Sequence, residues 1–545
     1  MKRLLWLVVT VALALPTLSG CDMSDEVKVV TSVSFATLAH HTPTGSSATE
    51  PFFLNLNPTG KVGRNWQALR RRLEKDQGAT RFLLGQEGLD NLLSQFKVEL
   101  LNLESVIDGP AVSAYWGGVT YVILQVPDEA AAREAMIANL GNASAWEQVE
   151  FESRTLYHGQ FREGNGRATY LAWTTADGLL FLTHLYLDSG GYSQKVVQKL
   201  QDLLQVTEEE SVAALPGWQE LQDRLPEDVM GVGFVPFGQQ NELPTSEAES
   251  LFDALSRSLE GVTLALVPEA DGLRVEIDGA FRPEASSVPE LQYLFDMPAI
   301  DDGVWGGLPA DTAIALAGHD AAALLPWLQE FVGLQLEPYQ QAAEPLGLDI
   351  ETDLLAEGGP LESALAIGFL PPLANQPIIE GLTALQIVVA LPDASLAQAE
   401  ALQRAMEGRG AVFGLQELDG VEVQAQVGTA ASGYAIAYAH HDGVLYLGTS
   451  PQVVGQGIAA AGGDGGLDEV TSFRQVRAAL PDEPTLAGYV SGQGLIDLLQ
   501  ANLPEDQYSD PNGIASQMAG LEAIGLGLWL EPERLYGVFY LWLGE

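Results

Sequence analysis

Apolar and polar residues along this chain follow two rhythms, and each appears twice. Residues 118–141, GVTYVILQVPDEAAAREAMIANLG, and residues 381–408, GLTALQIVVALPDASLAQAEALQRAMEG, both start as an apolar run of strand character and pass through a proline into an alanine-rich stretch of helical spacing. Proline cannot donate to a sheet ladder, so the strand stops there, and the next residue, Asp128 or Asp393, is placed to cap the helix. These aspartates lie 265 positions apart. The same interval separates Asp177-Gly178 from Asp442-Gly443, each between two apolar runs. That dipeptide favours a tight hairpin, because both central positions accept positive φ.

Further along, GWQELQDRLPEDVMGVGFV at 217–235 is answered by SFRQVRAALPDEPTLAGYV at 472–490, and the paired strands of 262–281 by those of 526–543. Trp66 and Trp327 sit in similar helical stretches near the start of each copy. Each copy reads as a strand, two helices, two strands, a helix, a three-stranded run holding the Asp-Gly turn, two helices, a strand, a helix and a closing hairpin. Strands that follow one another through short turns favour antiparallel sheet, so the expected class is α+β: two tandem copies of a mainly antiparallel sheet module with helices packed on it. Val262, Leu264 and Leu266 alternate with Thr263, Ala265 and Val267, so this strand is expected to be covered on both faces.

The N-terminus has a different logic. Lys2 and Arg3 precede an apolar run from Leu4 to Leu15, then small residues, which is the layout of an export signal. The run is shorter than the roughly 20 residues a membrane-spanning helix needs. Leu18-Ser19-Gly20-Cys21 resembles the lipobox of bacterial lipoproteins, in which the cysteine is acylated and becomes the new N-terminus. An ordinary signal peptide with a chance cysteine is the alternative. Cys21 is the only cysteine, so its acylation leaves no thiol for a disulfide, a metal or a nucleophile. The resemblance implies a chain exported and anchored on the outer side of a bacterial cell membrane. The expected organisation is a leader at 1–20, a lipidated cysteine and flexible tether at 21–50, a first repeat at 51–285, a linker at 286–307 and a second repeat at 308–545.

Composition narrows the partners. The chain has 545 residues, 47% of them hydrophobic and 18% charged, which fits a large core. It carries 26 basic residues against 73 acidic ones, a balance that nucleic acid and anionic lipid surfaces would repel. From Leu308 onward there are five arginines and no lysine against 31 acids. One segment runs the other way: Lys61, Arg64, Arg70, Arg71, Arg72 and Lys75 decorate an amphipathic helix whose apolar positions are Trp66, Leu69 and Leu73. These cations could meet anionic headgroups or an acidic partner; a solvated helix face is the plainer outcome.

With its duplication and with LPADTAIALAG at 308–318 followed by a helix carrying Trp327, the chain resembles a bacterial family catalogued as domain of unknown function 3352. The resemblance implies a secreted or lipid-anchored protein and carries no catalytic residues.

Motifs for chemistry are sparse. Ser94-Gln95-Phe96-Lys97 matches Ser-x-x-Lys, but the companion Ser-Asp-Asn and Lys-Thr-Gly elements are missing. No nucleophile elbow, phosphate loop or His-Glu-x-x-His helix occurs. His40-His41 and His440-His441 are neighbours, and on a strand neighbours face opposite sides, a poor arrangement for one metal. The acidic stretches 296–303 and 505–513 could hold a structural calcium, although neither follows the twelve-residue calcium loop; no other cofactor is expected. The expected function is a non-catalytic binding or scaffolding lipoprotein whose partner is an unknown protein. A carrier of a lipid or other apolar ligand is the alternative, and a hydrolase comes third.

Overall fold

In the computed structural model of the chain, the structure describes residues 33–44, 51–55, 60–75, 109–139, 146–162, 168–186, 193–237, 251–320, 364–371, 386–392, 394–418, 420–427, 435–463, 465–502 and 520–544, with short pieces between 340 and 354. Antiparallel strands and packed helices make it an α+β protein. The described residues fall into two compact units, one comprising those up to 237 and 259–282, the other 251–258 and 283–544. Among the described residues no helix is long and apolar enough to cross a membrane.

The first unit contains helices α1 (Val33–His40), α2 (Gly60–Lys75), α3 (Glu129–Asn139), α4 (Ser193–Leu204) and α5 (Pro216–Gln222). Its strands are β1 (Phe52–Asn55), β2 (Pro110–Trp116), β3 (Val119–Gln125), β4 (Glu147–Phe151), β5 (Arg154–Arg162), β6 (Ala168–Ala176), β7 (Leu179–Tyr186), β8 (Gly231–Pro236), β9 (Leu259–Pro268) and β10 (Gly272–Phe281). They lie in the order β4-β5-β6-β7-β3-β2-β1-β8-β9-β10, every neighbour antiparallel. One face carries Phe53, Val112, Ile123, Phe181, Val232 and Ala265, packed under Leu38 of α1, Leu200 of α4 and Trp218 of α5. The alternate residues Phe52, Leu54, Val122, Leu124, Leu264 and Leu266 point the other way and are buried too. The two-sided burial expected of β9 is therefore present. On that second face Arg133 of α3 donates to Thr175 Oγ1 at 3.2 Å.

The second unit holds α6 (Leu251–Ser258), α7 (Pro289–Phe295), α8 (Leu396–Gly408), α9 (Pro451–Ala461), α10 (Thr471–Ala479) and α11 (Gly492–Asn502). Its strands are β11 (Ile314–His319), β12 (Ala364–Leu370), β13 (Gln386–Leu391), β14 (Phe413–Leu418), β15 (Val421–Gln426), β16 (Ala437–His441), β17 (Val444–Gly448), β18 (Leu486–Ser491), β19 (Ala523–Glu531) and β20 (Arg534–Trp542). The order is β14-β15-β16-β17-β13-β12-β11-β18-β19-β20, again antiparallel throughout. One face packs Ala315, Val388, Tyr489 and Val538 against Val453 of α9 and Phe473 and Val476 of α10. Gly525 makes that approach possible: a Cβ there would sit 2.0 Å from Val476 Cγ1.

Local signals read from the sequence act as expected at several points. Asp177 and Gly178 have φ of 56° and 76°, Asp442 and Gly443 of 48° and 84°, so both hairpins turn through two left-handed positions. Asp128 accepts from the amides of Ala130 and Ala131 at 2.9 and 3.0 Å and caps α3. In the second unit the cap of α8 is Ser395 in a capping box with Gln398; Asp393 lies outside the described residues.

Other expectations need correction. The segment 21–50 is not a tether throughout. Residues 33–44 belong to the first unit: Phe35, Leu38 and Ala39 recur at helical spacing and are buried, and Thr44 is tied by its amide and hydroxyl to the Glu210 carbonyl. Nor is 286–307 a bare linker, because Leu291, Leu294, Ile300, Val304 and Trp305 are buried. Helix α6 falls in the second unit, although the first repeat was expected to run to 285. The three-stranded run is four-stranded in each unit. The extra strands β4 and β14 lie at the end of each strand order, with three residues exposed and none fully buried in each, so no sustained apolar run marks either.

Candidate functional site

Of the residues singled out for binding, Cys21 lies outside the described residues, as do Ser94, Lys97 and Trp327. The basic helix is α2, and its apolar side is firmly seated: Trp66 and Leu69 are buried, and Asn65 Nδ2 donates to the Pro268 carbonyl at 3.0 Å. Its cations do not form one free surface. Lys61 pairs with Asp228 at 2.5 Å, and this hydrogen bond holds the ammonium above its ordinary pKa. Arg64 and Arg71 are exposed, Arg72 is half-buried and already engaged, and the side chains of Arg70 and Lys75 fall outside the described residues.

In the acidic stretch 296–303 two of the three carboxylates are engaged within the protein. Asp301 accepts from the Gly303 amide at 2.7 Å, and Asp302 pairs with Arg477 Nε at 2.8 Å; the stretch 505–513 lies outside the described residues. Among the described residues no group of three or more His, Cys, Asp or Glu side chains is arranged to hold a metal ion. His440 and His441 lie opposite Leu445 and Val444 on β17, with side chains on opposite faces. His41 follows α1 with its ring edge-on to Phe181 at 5.6 Å, where burial lowers its pKa.

The feature with the clearest binding geometry was not singled out in the sequence. On the second unit's sheet, the face turned away from α9 and α10 is apolar across six strands. At its β13–β17 side, α8 covers it: Ala399, Leu402 and Met406 pack on Leu391, Leu445 and Leu447. Across the rest, Leu316, Phe369, Ile387, Val490, Leu526 and Phe539 are each half-buried. The face of the first unit turned away from α1, α4 and α5 is closed, with Leu54, Leu264 and Leu266 at 0% exposure. A half-covered, continuous apolar face can take up an apolar surface or chain, and completing the burial of one large aliphatic or aromatic side chain contributes on the order of 1 kcal/mol.

No protein-family model matches the chain, and no curated protein matches it. Among solved structures, crystal forms of a protein named TP0453 align with it. Form I gives a TM-score of 0.24 at 10% identity, covering 45% of this chain and 78% of that one. Forms III and IV each give 0.22 at 8% identity, covering 45% and 44% of this chain and 79% of the other. Scores of this size do not establish a shared fold.

Proposed function

We propose that this chain is an exported bacterial lipoprotein, held on the outer side of the cell membrane through Cys21, and that it is a non-catalytic binding protein built from two copies of one α+β module. The resemblance to the family of unknown function 3352 belongs to the same reading. Support for the duplication comes from strand order: replacing β1 to β10 by β11 to β20 turns one order into the other, and both Asp-Gly turns fall between corresponding strands. Support for anchoring comes from the leader and from the lone cysteine in its lipobox-like setting.

The observation that carries the binding role is the half-buried apolar face of the second unit, against its buried counterpart in the first. Two copies of a module diverge where one acquires a task. Here the second copy leaves partly exposed what the first buries fully. A photo-crosslinking residue in place of Leu526, in cells expressing the chain with its own leader, tests this. Capture of a protein that is lost in a Leu316→Asp background supports the scaffold, and capture of a lipid supports the carrier reading. Equal yields in both backgrounds overturn the binding face. Release of a Cys21→Ser chain from the membrane fraction is the separate test of the anchor.

A further inference from the structure

The turn between β2 and β3 carries a second surface that neither the sequence motifs nor the apolar face accounts for. Gly117 and Gly118 both have positive φ, 57° and 89°, and the side chains of α4 lie directly over them. A Cβ on Gly118 would sit 2.1 Å from Lys195 Nζ, and one on Gly117 would sit 2.6 Å from Lys199 Cε. Lys199 Nζ is 4.3 Å from the ring centroid of Trp116 and pairs with Asp202 at 2.9 Å. Tyr115 is 46% exposed at the same turn, its hydroxyl close to Gly118, and Lys195 is exposed.

The charges are placed against local electrostatics. The first turn of a helix favours acids, because its free amides carry partial positive charge, yet α4 has none there and has Lys195 instead. In a chain of net charge −47, Lys195 in the first turn of α4 and Lys199 one turn further on, the latter already paired with Asp202, stand beside an exposed tyrosine and a tryptophan as a cationic and aromatic spot. Amphipathic rings and lysines of this kind populate the boundary between lipid and water, with stems and rings in the apolar layer and the charge among phosphates. The chain length allows contact: the 12 steps from Cys21 to Val33 span at most about 40 Å, so an acylated cysteine keeps the first unit close to the bilayer.

We propose that the Tyr115–Trp116–Lys195–Lys199 surface docks on the anionic headgroups of the membrane that carries the anchor and so sets which side of the first unit faces the lipid. This rests on the anchored reading above, and the test separates the two. Because the acylated chain has no other thiol, Tyr115→Cys gives a single attachment point for an environment-sensitive fluorophore. The labelled chain is placed in phosphatidylcholine vesicles with and without phosphatidylglycerol, and pelleting with the vesicles reports the anchor independently.

Docking predicts that phosphatidylglycerol shifts the emission to the blue and shields the label from acrylamide. Lys195→Glu reverses this: each unit of charge changes the docked-to-free ratio about fivefold, and this variant changes two. Lys195→Gln gives a smaller loss, and both variants keep the fold because the side chain is exposed. A chain that pellets while its label stays as accessible as in detergent overturns the docking surface and leaves the anchor standing. If the chain fails to pellet, the anchor reading falls, and vesicle flotation of the same protein then decides: flotation indifferent to phosphatidylglycerol or to Lys195→Glu overturns the surface as well.

Discussion

Phe473 and Tyr489 meet edge to face in the second unit, ring centroids 5.3 Å apart and planes at 77°. In the first unit Trp218 and Phe234 do the same at 5.3 Å and 73°. Each pair joins the short helix after the four-stranded run to the strand that follows it, so one packing solution recurs with different aromatic residues. Replacing either helix ring by alanine leaves a cavity the neighbouring strand cannot fill. Trp218→Ala and Phe473→Ala should each cost about 3–5 kcal/mol, read as a lowered midpoint in denaturant. A loss below about 1 kcal/mol at either site would mean that the ring is not a keystone of its unit.

The two Asp-Gly turns set the register of β6 with β7 and of β16 with β17, and in each the glycine has the larger positive φ. A β-branched side chain is strained there, so Gly178→Val and Gly443→Val should each lower stability by about 1–2 kcal/mol. Asp177→Asn and Asp442→Asn should be nearly silent, since asparagine tolerates the same conformation. Thermal melts of the four variants check this. Equal losses at the aspartates and the glycines would contradict the turn geometry.

At the start of α3, Asp128 supplies the acceptor for two otherwise free amides. Asp128→Ala should cost about 1 kcal/mol, and Asp128→Asn much less, because the amide oxygen can still accept. Ser395→Ala should cost a similar amount in the second unit, where the capping box with Gln398 takes over this role.

These local rules show which parts of the fold were readable beforehand. Turns, caps and two-sided strands depend on neighbours in sequence, so Asp177-Gly178, Asp128 and the all-apolar β9 declared themselves. Helix α1 did not: five of its eight residues, Val33, Phe35, Ala36, Leu38 and Ala39, are apolar, but two turns flanked by threonines and serines are too short for the helical rhythm to declare itself. The candidate site was less legible still. Leu316 and Leu526 follow the same alternation as Leu54 and Leu264, and nothing in that alternation tells whether a given face will be covered. Lys199 over Trp116 joins positions that only the folded sheet brings together. The cationic helix illustrates the converse: seven basic residues between 61 and 81 were conspicuous in sequence, yet Lys61 is committed to Asp228 within the same unit.

His41 links α1 to the sheet and gives the first unit a pH dependence whose sign follows from its surroundings. Burial against Phe181 disfavours the imidazolium and outweighs the attraction of Asp177, while His40 and Arg154 push in the same direction as burial. The folded pKa thus lies below the unfolded value near 6.5. Above that value both states are neutral and His41 makes no difference. As the pH falls through it, the unfolded chain takes up a proton that the folded chain resists, so stability drops until the folded-state pKa is also passed. His41→Phe keeps an edge-to-face ring against Phe181 and removes the titration. Denaturant unfolding at pH 7.5 and 5.5 should therefore show a smaller acid-induced loss in the variant than in the native chain. An equal or larger loss would mean that His41 is free to protonate in place and that α1 stays seated without regard to its charge.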